Sequence, residues 1–106
     1  MKIIYIAGPY RAETKAEIGR NIKKARDVAI KLWQEGWAVI CPHMNTAHFE
    51  AEDDSIWING GLEILVRCDA IYMLAGWEYS PGAITEWFTA QGFELDIYYE
   101  DELVRG

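Results

Sequence analysis

Cysteine and basic side chains are both scarce in this sequence of 106 residues. Its two cysteines, Cys41 and Cys68, are too few for the disulfide framework of a secreted mini-protein, so we expect reduced thiols and a cytoplasmic location. Ten lysines and arginines face seventeen acidic residues, which leaves a net charge of −7. This balance argues against binding a nucleic-acid polymer by bulk attraction.

Long hydrophobic runs are also missing. The opening apolar run from Ile3 to Ala7 stops at Gly8 and Pro9, far short of the ~18 residues of a membrane span. We therefore expect a soluble protein with no membrane partner. Hydrophobic residues nevertheless make up 51% of the chain, which is typical of a packed globular protein. At this length we expect a single domain over residues 1–106, because domains usually run from ~50 to ~250 residues.

Strand-like and helix-like segments alternate along the chain. Apolar runs rich in branched and aromatic residues predict strands at 2–7, 37–41, 70–75 and 95–99. Helical spacing or helix-start signals predict helices at 15–35, 55–67 and 81–94. Alternation of this kind favours parallel pairing through right-handed crossovers. We expect a three-layer α/β domain, flavodoxin- or Rossmann-like, with a four- to five-stranded parallel sheet in the order 2-1-3-4.

The loops that leave the first and third strands are the natural place for a ligand. In open parallel sheets, ligands bind beyond the carboxyl ends of the strands where the winding direction reverses, here between strands one and three. These loops are residues 8–11 and 76–82. The second one ends in a helix start, with Ser80 as N-cap, proline next and the small residue Gly82 after it. Such a helix end can receive an anion.

Glu86 follows Gly82 by four residues, so both lie on one face of the predicted helix and the carboxylate leans toward the helix start. A carboxylate held beside a sugar can attack the anomeric carbon. Glu86 could equally complete a helix-end hydrogen bond or face solvent. Tyr5, in the central strand, needs a partner for its phenol if buried, and either Glu86 or backbone could provide it.

The motifs Tyr5-Ile6-Ala7-Gly8-Pro9, Cys68-Asp69-Ala70 and Gly76-Trp77-Glu78-x-Ser80-x-Gly82-Ala83-x-x-Glu86-x-x-x-Ala90 resemble the nucleoside 2-deoxyribosyltransferase superfamily. The likeness extends over nearly the whole chain and is strongest to a branch of short, often phage-encoded proteins. It implies an enzyme that cleaves N-glycosidic bonds or transfers 2-deoxyribosyl groups, without a cofactor. The expected substrate is a small nucleoside or nucleotide, and the expected assembly is a homodimer or higher homo-oligomer.

The resemblance also implies roles for individual residues. Glu86 would be the nucleophile and Tyr5 would orient its carboxylate. The first loop would border the sugar; its residues are Gly8, Pro9, Tyr10 and Arg11. Ser80 matches a serine that touches the 5'-phosphate in the related deoxynucleotide 5'-monophosphate N-glycosidases, and Arg11 also resembles an arginine of that branch. These two residues favour a nucleotide over a nucleoside.

One position departs from the superfamily pattern. Gly61 stands where the family has an aspartate that positions the sugar or assists the leaving base. If the chain is catalytic, His48, Glu50 or Asp53 would have to supply the acid. This departure keeps a second hypothesis open, a non-catalytic nucleotide-binding module. A third is an NAD-type glycohydrolase, whose chemistry also uses a carboxylate at a ribosyl C1'.

Three aromatic or histidine side chains complete the predicted site. Trp77 lies in the second loop and could stack on a base. His43 and His48 follow the second strand and could lie near the substrate, although a structural role is the alternative. The spacing of the cysteines and histidines matches no tight ligand pair, so we expect no metal site.

The charge of the chain is unevenly distributed. Residues 1–31 hold eight basic and three acidic side chains, a net +5, whereas the remainder holds two and fourteen, a net −12. The positive part includes the first loop and the first helix. This distribution discourages polyanions while permitting one small anion near the first loop.

Overall fold

The computed structural model describes residues 1–45 and 55–101. The strands are β1 (Ile3–Ala7), β2 (Ala38–Ile40), β3 (Ala70–Met73) and β4 (Asp96–Tyr99). The helices are α1 (Lys15–Gln34), α2 (Pro42–Asn45), α3 (Ser55–Leu65) and α4 (Pro81–Gly92), and a 3-10 turn covers Trp77–Tyr79. Helices and strands alternate as the sequence predicts.

The four strands form one parallel sheet in the order β2-β1-β3-β4. Strand β1 is therefore central, and Tyr5 pairs with Ile40 of β2 on one side and Ile71 of β3 on the other. The predicted flavodoxin-like α/β fold and its strand order are confirmed. The winding direction reverses between β1 and β3, so the loops that follow these strands meet at one edge of the sheet.

The two faces of the sheet hold separate apolar clusters because successive residues of a strand point to opposite faces. Ile4 and Ile6 pack on the face covered by α1, together with Ala25, Ala29 and Leu32. On the opposite face, Tyr5 and Ala7 pack with residues of α3 and α4; these include Leu65, Ala83 and Ala90. Helices thus cover both faces, which gives the three layers expected from the sequence.

The ends of several elements differ from the sequence prediction. Helix α3 stops at Leu65 because Arg67 N–H and Cys68 N–H donate to carbonyls three residues back, which tightens its last turn. Helix α4 stops at Gly92, and Glu94 adopts a left-handed φ of 60° before β4 begins. Gly36, at φ 99°, ends α1 as predicted. Across the described residues, every helix is too short or too polar to cross a bilayer.

The start of the segment after β3 is bonded to two other parts of the chain. Leu74 N–H donates to the Ala7 carbonyl at 2.8 Å, which continues the pairing with β1 beyond the sheet. At 2.8 Å, Ala75 N–H donates to a carboxylate oxygen of Glu100, just past the end of β4. The residues that lead into the 3-10 turn are therefore held by β1 and by the residue after β4.

Candidate active site

Two glycines let the loops after β1 and β3 approach closely. A Cβ at Gly8 would lie 2.6 Å from Cβ of Leu74, closer than two carbons can pack, so only glycine fits there. Gly76 has a φ of 88°, which favours glycine, and a Cβ there would lie 3.4 Å from Pro9 Cγ. The chain can therefore bring both loops together at the carboxyl edge of the sheet.

A cleft of about 420 Å³ opens at this edge. It is lined by nine of the residues predicted from the sequence: Tyr5, Gly8, Pro9, Tyr10, Arg11, His43, Ser80, Gly82 and Glu86. Trp57, Ile58 and Tyr79 line it as well. The structure thus brings together residues from both loops and from helices α2, α3 and α4. What these residues do in the cleft stays a prediction.

Glu86 and Tyr5 are hydrogen-bonded at the floor of the cleft. Tyr5 Oη donates to Glu86 Oε2. Burial raises the pKa of Glu86 to about 7, and the hydrogen bond from Tyr5 opposes that rise. Burial, followed by the charge of Glu86, holds the pKa of the Tyr5 phenol well above its usual value. Near neutral pH, the phenol is therefore the proton donor and the carboxylate the acceptor of this hydrogen bond.

The N-terminus of α4 forms one wall of the cleft. Ser80 caps the helix, its Oγ accepting from Ala83 N–H at 3.4 Å, and Pro81 takes the first helical position. Around a Cβ built at Gly82, the described residues leave open space for 4 Å. First-turn amides and the partial positive charge of a helix start thus face a cleft that Arg11 also lines. The wall is suited to an anion.

His43 comes from the short helix α2, which the sequence did not predict because four residues are too few to show a periodic pattern. The side chain is buried, and Nε2 lies 2.9 Å from the Pro9 carbonyl oxygen. A carbonyl only accepts, so Nε2 carries the proton. Burial lowers the pKa of His43, although its backbone hydrogen bonds oppose the shift. A neutral histidine therefore holds the first loop in place, with its ring against the edge of Tyr10.

The structure places Trp77 away from the cleft and corrects the expectation that it stacks on a substrate base. Its side chain is buried in the cluster beneath α4, stacked on Trp87 with ring centroids 5.2 Å apart. Tyr79, which is 91% exposed, lies at the rim instead. The 3-10 turn directs Trp77 inward and leaves Glu78 and Tyr79 exposed, which the sequence, interpreted at this stretch only as a loop, did not predict.

Gly61, the position that departs from the superfamily pattern, lies directly against the site. A Cβ built there would be 2.9 Å from the hydroxyl oxygen of Tyr5. Among the described residues that line the cleft, Glu86 carries the one carboxylate. The other acid candidates, His48, Glu50 and Asp53, lie outside the described residues. Within 1–45 and 55–101, histidine, cysteine and carboxylate side chains form no group of three that could hold a metal ion.

Together, the fold and the cleft define a flavodoxin-like α/β protein with a partly buried carboxylate at the switch point of its sheet. The chain belongs to the family described as Domain of unknown function (DUF4406), whose model matches residues 2–99. No curated protein matches its sequence.

Among solved structures, the chain is similar to a 2-desoxiribosyltransferase from Leishmania mexicana, with a TM-score of 0.65 and 21% sequence identity. The match covers 93% of this chain and 63% of that one, so the chain spans less than two thirds of its neighbour's length. The likeness supports the α/β fold that the sequence predicts.

Proposed function

We propose that the protein breaks the N-glycosidic bond of a small nucleoside or nucleotide, by hydrolysis or by transfer of the sugar to another base. The observation that carries this proposal is Glu86, a partly buried carboxylate that accepts a hydrogen bond from Tyr5 in a cleft of about 420 Å³. A cleft of this size suits a small molecule. The deoxyribosyltransferase-like fold and the motif around Glu86 support the same chemistry.

In the proposed reaction, an ionised oxygen of Glu86 attacks C1' of the sugar. The C1'–N bond breaks, its electron pair goes to the base nitrogen, and the base leaves after taking a proton. Water then attacks C1' of the glycosyl ester and releases the sugar, or a second base attacks and gives a new nucleoside. Tyr5 holds one carboxylate oxygen, so the other is directed at the sugar.

The proposed substrate carries a 5'-phosphate. The N-terminus of α4, the Ser80 hydroxyl and the Arg11 guanidinium all border the same cleft, and together they provide the donors that a phosphate prefers. The net +5 of residues 1–31 favours the approach of one small anion. The proton for the leaving base is assigned to the sequence candidates His48, Glu50 and Asp53, or to water.

The test is a substrate panel. Deoxynucleosides, ribonucleosides, their 5'-monophosphates and NAD are incubated with the protein, with and without a free acceptor base, and the products are separated by chromatography. We expect free base, or an exchanged base, from 5'-monophosphates first. Glu86→Gln should lower the rate by roughly 10³-fold or more, because the nucleophile is lost while the shape is kept.

Glu63→Gln is the matched control. Glu63 is also a helical glutamate, but it is exposed and paired with Arg67 on the surface of α3. Its loss should leave the rate unchanged. If the whole panel stays intact, the proposal fails; if Glu86→Gln retains the wild-type rate, Glu86 is not the nucleophile. Release of nicotinamide from NAD alone would favour the glycohydrolase hypothesis.

A second candidate function is a non-catalytic nucleotide-binding module. Gly61 favours this function, because it stands where the resemblance leads one to expect an aspartate. The described part of the cleft therefore offers no second carboxylate to protonate a leaving base. This function predicts that a 5'-monophosphate raises the melting temperature, as any ligand of the folded state does, with no product formed.

A further inference from the structure

We propose that Gly61 is a positioning residue: the lack of a side chain at this point of α3 leaves room for the Tyr5 hydroxyl to donate its hydrogen bond to Glu86. This steric role of Gly61 can be tested without any enzymatic turnover. The importance of Gly61 for catalysis rests on the proposed function, in which Glu86 is the nucleophile.

The geometry around Tyr5 leaves little freedom. A Cβ at Gly61 would lie 2.9 Å from Tyr5 Oη, a distance that carbon and oxygen in van der Waals contact do not reach. The tyrosine is 1% exposed and sits on the central strand, paired on both sides. Its ring is rigid, and its hydroxyl cannot swing away as the end of a flexible side chain could. Adding even one methyl group must therefore displace the hydroxyl or push α3 outward.

The neighbouring Gly60 provides the contrast. Both glycines lie inside α3, where each weakens the helix relative to alanine. Among the described residues, no atom lies within 4 Å of a Cβ built at Gly60. Sterics therefore require glycine at 61 and not at 60. A side chain at 61 would clash with the hydroxyl that donates to the Glu86 carboxylate.

The Tyr5 hydroxyl links Gly61 to the ionisation of Glu86. The hydrogen bond from Tyr5 favours the charged carboxylate and partly offsets the effect of burial. A side chain at 61 that displaces the hydroxyl would weaken this bond, and the carboxylate would ionise at higher pH. Aspartate, the residue that the superfamily resemblance leads one to expect here, begins with the same Cβ. With Tyr5 in its present position, an aspartate at 61 would meet the same steric conflict as alanine.

The experiment follows the side-chain carboxyl carbon of Glu86 by ¹³C NMR as a function of pH in four proteins: wild type, Gly61→Ala, Gly60→Ala and Tyr5→Phe. We expect Gly61→Ala and Tyr5→Phe each to raise the titration midpoint by roughly 1 to 2 pH units, the effect of losing a hydrogen bond to a charged group. Gly60→Ala, the matched control, should leave the midpoint unchanged and raise the melting temperature.

The double variant Tyr5→Phe/Gly61→Ala decides whether the effect passes through the hydroxyl. Phenylalanine lacks the oxygen that would clash, so adding Gly61→Ala to Tyr5→Phe should cause no further shift. A wild-type midpoint in Gly61→Ala, or an equal extra shift in the Tyr5→Phe background, overturns the proposal. If Gly61→Ala alone does not fold, Tyr5→Phe must restore folding; failure of the double variant to fold also overturns it.

These readouts require no substrate. A protein without glycosidic activity could still show the shift, and an active protein could lack it. Failure of this proposal is therefore distinguishable from failure of the proposed function.

Discussion

The two faces of β1 differ in what they bury. On one face, Ile4 and Ile6 meet the small and aliphatic side chains of α1, and the cluster is apolar throughout. On the other, Tyr5 carries a phenol into the cluster under α4, and that phenol meets the carboxylate of Glu86. Burying apolar surface stabilises the fold, whereas burying a carboxylate works against it. One strand thus contributes apolar packing through one face and a hydrogen bond to the candidate site through the other.

The largest expected effect tests the α1 face. Leu32 is 5% exposed in the apolar cluster, so Leu32→Ala should lower the free energy of unfolding by about 2–5 kcal/mol, through lost burial and the cavity left behind. The site lies across the sheet, and we expect the Glu86 titration of the folded variant to match wild type. Urea unfolding and NMR titration of the same sample check both statements. A shifted titration would show that the two faces are coupled.

The next effect tests the opposite face and depends on pH. Glu86 has a pKa of about 7 in the folded protein against 4.5 for an ordinary glutamate, so the folded state binds its proton more tightly. Its contribution to stability is therefore complete below pH 4.5 and is lost as the pH rises toward 7. The difference corresponds to ~3 kcal/mol at most. Glu86→Gln should consequently stabilise the protein more at pH 8 than at pH 5.

Urea denaturation at pH 5 and pH 8 measures the change in unfolding free energy that Glu86→Gln causes at each pH. Glu63→Gln is the surface control, and its effect should be the same at both pH values. Equal effects of Glu86→Gln at pH 5 and pH 8 would mean that the site face carries no strained carboxylate.

The smallest effect concerns the start of α4 on that same face. Ser80→Ala removes the helix cap and should cost ~1 kcal/mol, whereas Ser80→Gly should cost only a few tenths. Both remove the hydroxyl, so both should reduce the preference for 5'-monophosphates over nucleosides by a similar factor. Thermal unfolding measures the role of Ser80 as a helix cap. The ratio of kcat/KM for a 5'-monophosphate and its nucleoside measures the role of the hydroxyl in substrate preference. A lost preference in Ser80→Ala alone would tie selectivity to helix stability rather than to the hydroxyl.

Local signals were sufficient for the framework and for part of the site. Gly8-Pro9 and Gly36 end elements where the structure ends them, and the Ser80 cap begins α4 as predicted. The spacing from Gly82 to Glu86 places both in the cleft. In each of these cases, residue type and helical or strand period determine the outcome over a few positions. The hydrogen bond between Tyr5 and Glu86 joins residues 81 apart; residue type alone left the partner of Tyr5 open, and only the family resemblance implied Glu86.

What the sequence missed depends on contacts between distant segments. The inward turn of Trp77 is set by its stacking on Trp87, and Tyr79 takes the exposed rim position as a consequence. The bond from His43 to the Pro9 carbonyl needs a helix too short to leave a pattern. From the sequence, Gly61 could be interpreted only as the loss of an aspartate. The motif does not show that position 61 lies beside the Tyr5 hydroxyl, which is far away in the sequence.

The hydrogen bond from Ala75 to Glu100 has a consequence for the order in which the molecule assembles. It joins residues 25 apart, His43 and Pro9 are 34 apart, and Tyr5 and Glu86 are 81 apart. Contacts between such distant positions form only after long stretches of chain have closed into loops, which is slow and entropically costly. The cleft therefore needs segments from residue 5 to residue 86 to be in place together, and a chain that ends before Glu86 lacks its pair of phenol and carboxylate.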